Sequence, residues 1–279
     1  MVAVRGGTER NDREGSSVLA ELGLSQAGRQ ERIAELVLGQ DFVAAKDLAL
    51  RFDVSLMTIH RDLDELAGQG VLRKVRGGAT PLPSSLFESN VRYRMTESVA
   101  EKQALARHAL SLVEPGQAIM LDDSTTTLAF ARLLPSLDAP LTVITNFLAS
   151  MRELIWAKAI RLIVLGGEYL PSHDSFTGIA CEEMVAALRA DVLFLSTTAV
   201  ADGVTFQPEP EVAMLKQAMM RSATRRVLLI DHRKIGRVAL HRLAPLRDFD
   251  LVVVDAGIDH ERLRQLREAG AQVVIAPLL

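Results

Sequence analysis

The sequence predicts an α/β protein in two parts: a small helical unit closed by a β-hairpin, then a larger unit built on an open, mostly parallel sheet. Three observations predict this. Short amphipathic helices crowd residues 29–66, a run alternating apolar and basic residues turns at Gly77-Gly78, and from residue 118 short apolar stretches alternate with helical ones. At 279 residues the chain has room for two cores.

Residues 29–38 place Ile33, Leu36 and Val37 on one side of a helix, and residues 43–52 read as a second helix offering Ala45, Leu48, Ala49 and Phe52 for packing. Asp53-Val54-Ser55 is a tight connection to a third. Ser55 is placed to cap it, Ile59, Leu63 and Leu66 form its apolar stripe, and Leu56, Met57, Thr58, His60, Arg61 and Asp64 fall largely off that stripe. Two short helices joined by so short a turn suit a helix-turn-helix, in which polar side chains near the start of the second helix read the major groove. Residues 70–80 then form a basic hairpin, a wing that offers Arg73, Lys74 and Arg76 to phosphate or minor groove. Asp47, Asp53, Asp62, Asp64 and Glu65 keep the unit from being strongly basic, so firm binding to double-stranded DNA calls for more than one copy. The DNA-contacting candidates are Ser55, Met57, Thr58, His60, Arg61, Arg73, Lys74 and Arg76.

Composition narrows the class. Hydrophobic residues make up 48% and charged residues 24%, and no apolar run is long and uncharged enough to cross a bilayer. One cysteine, Cys181, excludes an intrachain disulfide, and no Cys or His spacing suits structural zinc. A formal net charge of −3 argues against indiscriminate coating of nucleic acid. The expectation is a cytoplasmic protein with no cofactor, no metal and no membrane partner. Residues 1–24 read as a disordered leader with a possible short helix at 17–24, residues 25–81 as the winged helix-turn-helix, residues 82–95, opened by Pro83-Ser84-Ser85, as a linker, and residues 96–279 as the second domain.

In that domain strands are expected at 118–121, 141–144, 161–165, 192–195, 227–230, 251–254 and 273–275, with helices at 96–112, 126–134, 148–157, 181–188, 210–223 and 260–269. Ligands of such sheets lie beyond the carboxyl ends of the strands. There the chain places Asp122-Asp123-Ser124-Thr125-Thr126-Thr127, then Asn146, then Gly166-Gly167, and later Asp231 with Lys234. Hydroxyls and amides opening a helix suit an anion, lysines neutralise it, and an aspartate at a strand end accepts sugar hydroxyls. Glu211 and Lys216 on the helix at 210–223 complete the candidate effector set of Asp122, Ser124, Thr125, Thr126, Thr127, Asn146, Gly166, Gly167, Glu211, Lys216, Asp231 and Lys234. A hydroxyl-rich cap, a plain Gly-Gly turn and surface lysines are the alternatives for each motif taken alone.

Both halves resemble one family. Arg29-Gln30 with Ile33, the run from Val54 to Leu63, and Leu72-Arg73 with Gly77-Gly78-Ala79 are similar to the DNA-binding domain of the DeoR family of bacterial transcriptional regulators. Leu121-Asp122, Ser124 to Thr127, Thr145-Asn146, Leu165 to Glu168, Thr177-Gly178, Glu211, Lys216, Asp231-His232, Lys234 and Gly236 resemble its sensor domain. The resemblance implies a ribose-5-phosphate isomerase-like sensor and a regulator, a repressor of carbohydrate or polyol catabolism genes. Its DNA binding would answer to a phosphorylated sugar or polyol effector, in a homo-oligomer that is a dimer or a dimer of dimers. Two departures stand out: His60 replaces the family's usual basic residue, most often Arg, and Thr198 replaces its acidic residue after the fourth strand. The alternative is a sugar-phosphate isomerase or deaminase carrying a DNA-binding appendage, with Asp122, Asp123, Glu211, Asp231 and Lys234 as acid, base and charge-stabilising groups. The loss of the acid at Thr198 weighs against it, because threonine is no base near neutral pH. Methionine-rich faces at 184–188 and 214–220 read as core or as subunit interface.

Overall fold

In the computed structural model, which describes residues 24–38, 40, 42–68, 71–80 and 91–278, the first unit grows from a helix that Ser55 starts. The Ser55 hydroxyl accepts the Thr58 amide at 3.1 Å, satisfying an orphan donor of the first turn. The helix it starts, α3 (Leu56–Gly68), follows α1 (Gln26–Leu38) and α2 (Ala45–Arg51). Ile33, Val37, Leu48, Phe52, Ile59, Leu63 and Leu66 close the core between them. Each such side chain withdrawn from water contributes about 1.5–3 kcal/mol.

The helix expected over 43–52 is shorter than its pattern. Val43–Ala44 is a strand, β1, pairing antiparallel with Gly78–Thr80, β3, which in turn pairs with Arg73–Val75, β2. The sheet order is β1-β3-β2. Tertiary pairing overrides the helical pattern there, and Ala44 is left extended as the cap of α2.

The chain divides by contact into Met1–Phe87 and Glu88–Leu279. The expected leader, apart from residue 24, and residues 82–90 of the expected linker lie outside the described residues. Residues 91–95 of that linker are helical: α4 (Val91–Thr96) buries Val91 against Leu128 and Phe147. The helix expected from residue 96 begins instead at Val99, α5 (Val99–Leu110), because Ser98 takes a left-handed conformation, φ 52°, and breaks it from α4.

Seven strands make the main sheet: β4 (Ala118–Leu121), β5 (Leu141–Thr145), β6 (Ile160–Val164), β9 (Ala190–Leu195), β12 (Ala223–Ile230), β14 (Leu251–Asp255) and β15 (Val273–Ala276). Their order is β15-β14-β12-β9-β4-β5-β6, and every pairing is parallel. The chain winds outward one way from β4 to β6, then returns to start at β9 and winds the other way. β4 and β9 therefore flank a topological switch point, where adjacent crossovers leave on opposite faces and open a crevice.

Alternate residues of the strands feed two cores. Met120, Leu193, Leu228 and Val252 face one side, with α8 (Ile179–Ala186), α9 (Pro210–Arg221) and α10 (His260–Glu268). Ile119, Phe194, Val227 and Val253 face the other, with α5, α6 (Thr125–Ala131) and α7 (Leu148–Leu154). The period of two along each strand accounts for this division.

Two small sheets escaped the sequence reading. A hairpin joins β7 (Glu168–Leu170) to β8 (Ser175–Thr177), and β10 (Ala199–Ala201), β11 (Val204–Gln207) and β13 (His241–Pro245) form an antiparallel sheet. Asp202-Gly203 turns β10 into β11 with φ of 48° and 71°, as a two-residue hairpin requires.

Candidate functional site

On the first unit, α3 turns Met57 and Arg61 outward, and among the described residues Arg61 has no ion-pair partner. Arg73 and Arg76 are exposed on the wing, with Arg76 in its two-residue turn beside Gly77, φ 86°. Ser55 and Thr58 are linked through their hydroxyls at 2.8 Å. Lys74 turns back to α3, 2.6 Å from Asp64 and 3.3 Å from the His60 carbonyl. Asp64 is exposed, so the pair is a weak one. His60 is half-buried and its Nδ1 has no partner among the described residues.

Asp62 is different from its acidic neighbours. It is 1% exposed and accepts Arg29 Nε at 2.6 Å and Gln30 Nε2 at 3.1 Å. Its charge is therefore neutralised inside the unit and does not repel phosphate. The signal was in the spacing, since Asp62 falls on the stripe of Ile59, Leu63 and Leu66.

In the second unit a charged cluster stands at the switch point. Asp122, at the end of β4 and fully buried, accepts four donors: Lys216 Nζ at 2.8 Å, the Ser196 amide at 2.8 Å, Thr127 Oγ1 at 2.8 Å and the Ser124 amide at 3.1 Å. Ser196 follows β9, so this one carboxylate ties together the two strands that flank the crevice. Asp123 accepts Ser175 Oγ at 2.9 Å and lies 3.6 Å from Lys216 and 3.3 Å from His173 Nδ1. Burial raises the Asp123 pKa, but the Lys216 ammonium and His173 outweigh it and hold the carboxyl well below the usual range. Burial likewise opposes the charged form of His173, but its contacts with Asp123 and with Glu209, 3.3 Å from its Nε2, raise its pKa. Asp231, after β12, pairs with Lys234 at 3.5 Å, whose Nζ reaches Ser196 Oγ at 3.4 Å.

The sequence-derived set divides. Asp122, Asn146, Lys216, Asp231 and Lys234 gather at these strand ends. Ser124 and Thr127 are there too, but the Ser124 hydroxyl caps α6 through the Thr127 amide at 3.1 Å and Thr127 Oγ1 serves Asp122. Thr125 Oγ1 donates to the Arg94 carbonyl at 3.1 Å, while Thr126 Oγ1 is buried without a partner among the described residues. Asn146 Nδ2 donates to the Phe176 carbonyl at 2.9 Å, and its Oδ1 has no partner among the described residues. Gly167 admits the hairpin, because a Cβ there would stand 2.4 Å from the Thr177 carbonyl, whereas Gly166 faces open space. Glu211 is exposed in the first turn of α9 and joins none of these contacts.

Arg94, Lys102, His173, Ser175, Ser196 and Glu209 were not foreseen. Lys102 had a signal: it lies three, four and seven residues before Leu105, Ala106 and Ala109 on the apolar face of α5. His173, in the β7–β8 turn, had none. Thr198 donates to Gln207 Oε1 at 3.0 Å, a structural bond in place of an acid. Cys181 is buried among apolar side chains, which push its thiol up to about 12 and make it a poor nucleophile. Of the methionines, Met219 and Met220 are core, while Met184 and Met214 are exposed on α8 and α9. Among the described residues no His, Cys, Asp and Glu gather as a metal site, and no helix is long and apolar enough to cross a membrane.

Comparison with known proteins agrees with both halves. Residues 29–84 match the family model of the DeoR-like helix-turn-helix domain, and residues 97–256 that of the DeoR C terminal sensor domain. The HTH-type transcriptional regulator GolR of Listeria innocua is 31% identical over 89% of this chain and 98% of its own length. The lactose phosphotransferase system repressor of Staphylococcus epidermidis is 30% identical, covering 83% and 93%, and the L-fucose operon activator of Haemophilus influenzae 31%, covering 82% and 92%. A ribose 5-phosphate isomerase of Methanocaldococcus jannaschii overlaps 48% of this chain and 53% of its own at 17% identity, with a TM-score of 0.36. The strand order, not that distant overlap, carries the fold. With both domain models matched in order, the chain belongs to the DeoR family and is a DNA-binding transcriptional regulator rather than an enzyme.

Proposed function

We propose that this regulator acts in the cytoplasm as a repressor of carbohydrate or polyol catabolism genes, and that a phosphorylated sugar or polyol controls its hold on operator DNA. The observation that carries the effector reading is the cluster at the switch point between β4 and β9. There Lys216 and Lys234 stand with Asp122, Asp123 and Asp231, while Thr126 Oγ1 and Asn146 Oδ1 have no partner among the described residues. An unpaired buried polar atom costs about 1–3 kcal/mol, which a polar ligand would recover. Two relatives named for sugar systems, lactose and L-fucose, support a sugar-type ligand.

In this reading Lys216 and Lys234 offset the charge of the phosphate, Thr125 and Thr126 bond its oxygens, and Asn146 and Asp231 take sugar hydroxyls. Ser124, Thr127 and Asp122 hold the frame, with Gly166 and Gly167 leaving room. Glu211 is exposed in the first turn of α9 and enters only if α9 shifts. On the DNA side, Met57, Thr58, His60 and Arg61 face base edges, Ser55 caps the reading helix, Arg73 and Arg76 meet phosphate, and Lys74 joins them on leaving Asp64. Two-fold operators reward paired subunits, so a dimer or dimer of dimers belongs to the reading.

Calorimetric titration with a panel of sugar phosphates, their unphosphorylated sugars and inorganic phosphate tests it. One sugar phosphate should bind at least tenfold more tightly than its parent sugar, and Lys216→Met should remove that preference. Equal affinity for sugar and sugar phosphate would refute it.

A further inference from the structure

The first described element after residues 81–90 is α4, and Arg94 fastens it onto the candidate effector site while Val91 anchors its start. The Arg94 carbonyl accepts both Thr125 Oγ1, at 3.1 Å, and the Lys102 ammonium, while Lys102 also donates to the Glu97 carbonyl at 2.6 Å. The Arg94 side chain reaches His173 Nδ1 at 3.2 Å, in the β7–β8 turn. The Val91 amide donates to the Ser172 carbonyl of the same turn at 2.8 Å. Helix, hairpin and the start of α6 thus meet around Arg94.

Lys102 is 5% exposed on an otherwise apolar face, an expensive place for an ammonium whose partners are neutral carbonyls. Burial and the nearby Lys234 bring its pKa down to about 7. Two fixed donors converging on one oxygen are what a phosphate oxygen requires, and a charged acceptor makes bonds roughly twice as strong as a neutral one. The same two donors line a cleft of about 270 Å³ with Met95, Val99, Leu128 and Arg132, so space adjoins them without unfolding of the sheet.

We propose that the Arg94 carbonyl occupies the place of an effector phosphate oxygen on Thr125 and Lys102, and that effector binding expels it, releasing α4. The inference rests on the effector reading above. Ligand energy does the work because the state with α4 released binds phosphate more tightly than the state with α4 docked. The Val91 amide ties α4 to the Ser172 carbonyl, so the β7–β8 turn loosens when α4 is released.

Amide hydrogen exchange on the full chain tests this, with millimolar inorganic phosphate and, separately, fructose 6-phosphate as probes. Saturating probe should slow exchange across residues 122–127 and speed it at least threefold across residues 91–96. Thr125→Val should speed exchange at 91–96 without any probe, and Lys102→Met should weaken probe binding tenfold or more. Should Lys102→Met fail to fold, the near-isosteric Thr125→Val still decides. Protection of 122–127 with unchanged or slower exchange at 91–96 would overturn the latch and leave the effector reading intact. Probe affinity unaltered in a folded Lys102→Met would overturn it as well. If neither probe nor any sugar phosphate of the panel protects 122–127, the effector reading fails and the latch fails with it.

Discussion

Arg61 and Asp62 are adjacent on α3 and have opposite fates. The helix turns Arg61 to solvent and Asp62 into the core against Arg29. Removing one member of a buried ion pair strands the other, at a cost of about 3–5 kcal/mol. Asp62→Ala should therefore lower the stability of the first unit by about that amount in urea denaturation. Arg61→Ala should leave stability within about 0.5 kcal/mol, abolish operator binding and spare effector binding. Loss of effector binding in a folded Arg61→Ala protein would contradict the division of roles. Lys102 gives a pH prediction. Its pKa falls from the ordinary 10.5 to about 7 in the folded chain, among Lys234, Asp231, Arg94 and Glu97. Between those values the unfolded chain holds more protons, so this residue makes stability rise with pH from about 7 toward 10.5. Comparing urea midpoints at pH 7 and pH 9 should show a rise in the wild type that Lys102→Met loses; parallel behaviour would refute it. Asp62, counted from the sequence with the exposed acids, and Lys102, not foreseen, each carried a signal as a charge at an apolar helical spacing. His173 and Arg94 carried none, because their roles arise from contacts between segments about 80 residues apart, which no local pattern encodes.

At the scale of elements, the wing depends on two adjacent glycines for different reasons. Gly77 supplies the positive φ of the turn, whereas Gly78 lets β1 and β3 approach, since a Cβ there would meet the Val43 carbonyl at 2.1 Å. Gly78→Ala should push β1 off β3, lower the melting temperature and weaken DNA binding by misplacing Arg73 and Arg76, all without touching a DNA contact. An unchanged melting temperature and affinity would refute this account of the wing. Long, periodic elements were legible: the strands later paired as β4, β5, β9, β12, β14 and β15, and the helices α3, α9 and α10, fall within a few residues of expectation. Strands β1, β7, β8, β10, β11 and β13, of two to five residues, were missed, because they lack the alternation with helices that marked the equally short β4 and β15. Asp202-Gly203 between apolar runs did carry a hairpin signal. Val43–Ala44 carried none that could compete with the helix after it.

For the whole molecule, the decisive fact is the strand order, which reverses between β4 and β9 and places Asp122 and Ser196 at one crevice. Alternation of strands and helices predicted a parallel sheet and a site at its carboxyl edge. It could not give the order, because crossover direction is set by packing between distant segments and not by any one of them. In the proposed function a ligand at this crevice controls the grip of a separate unit on DNA. Fluorescence anisotropy on DNA from upstream of the gene cluster, against scrambled DNA at near-physiological salt, tests it most directly when repeated with each sugar phosphate of the panel. The account predicts sequence-specific binding that one sugar phosphate changes at least tenfold while its parent sugar does not. Specific binding that no sugar phosphate alters, though one is shown to bind, would contradict it.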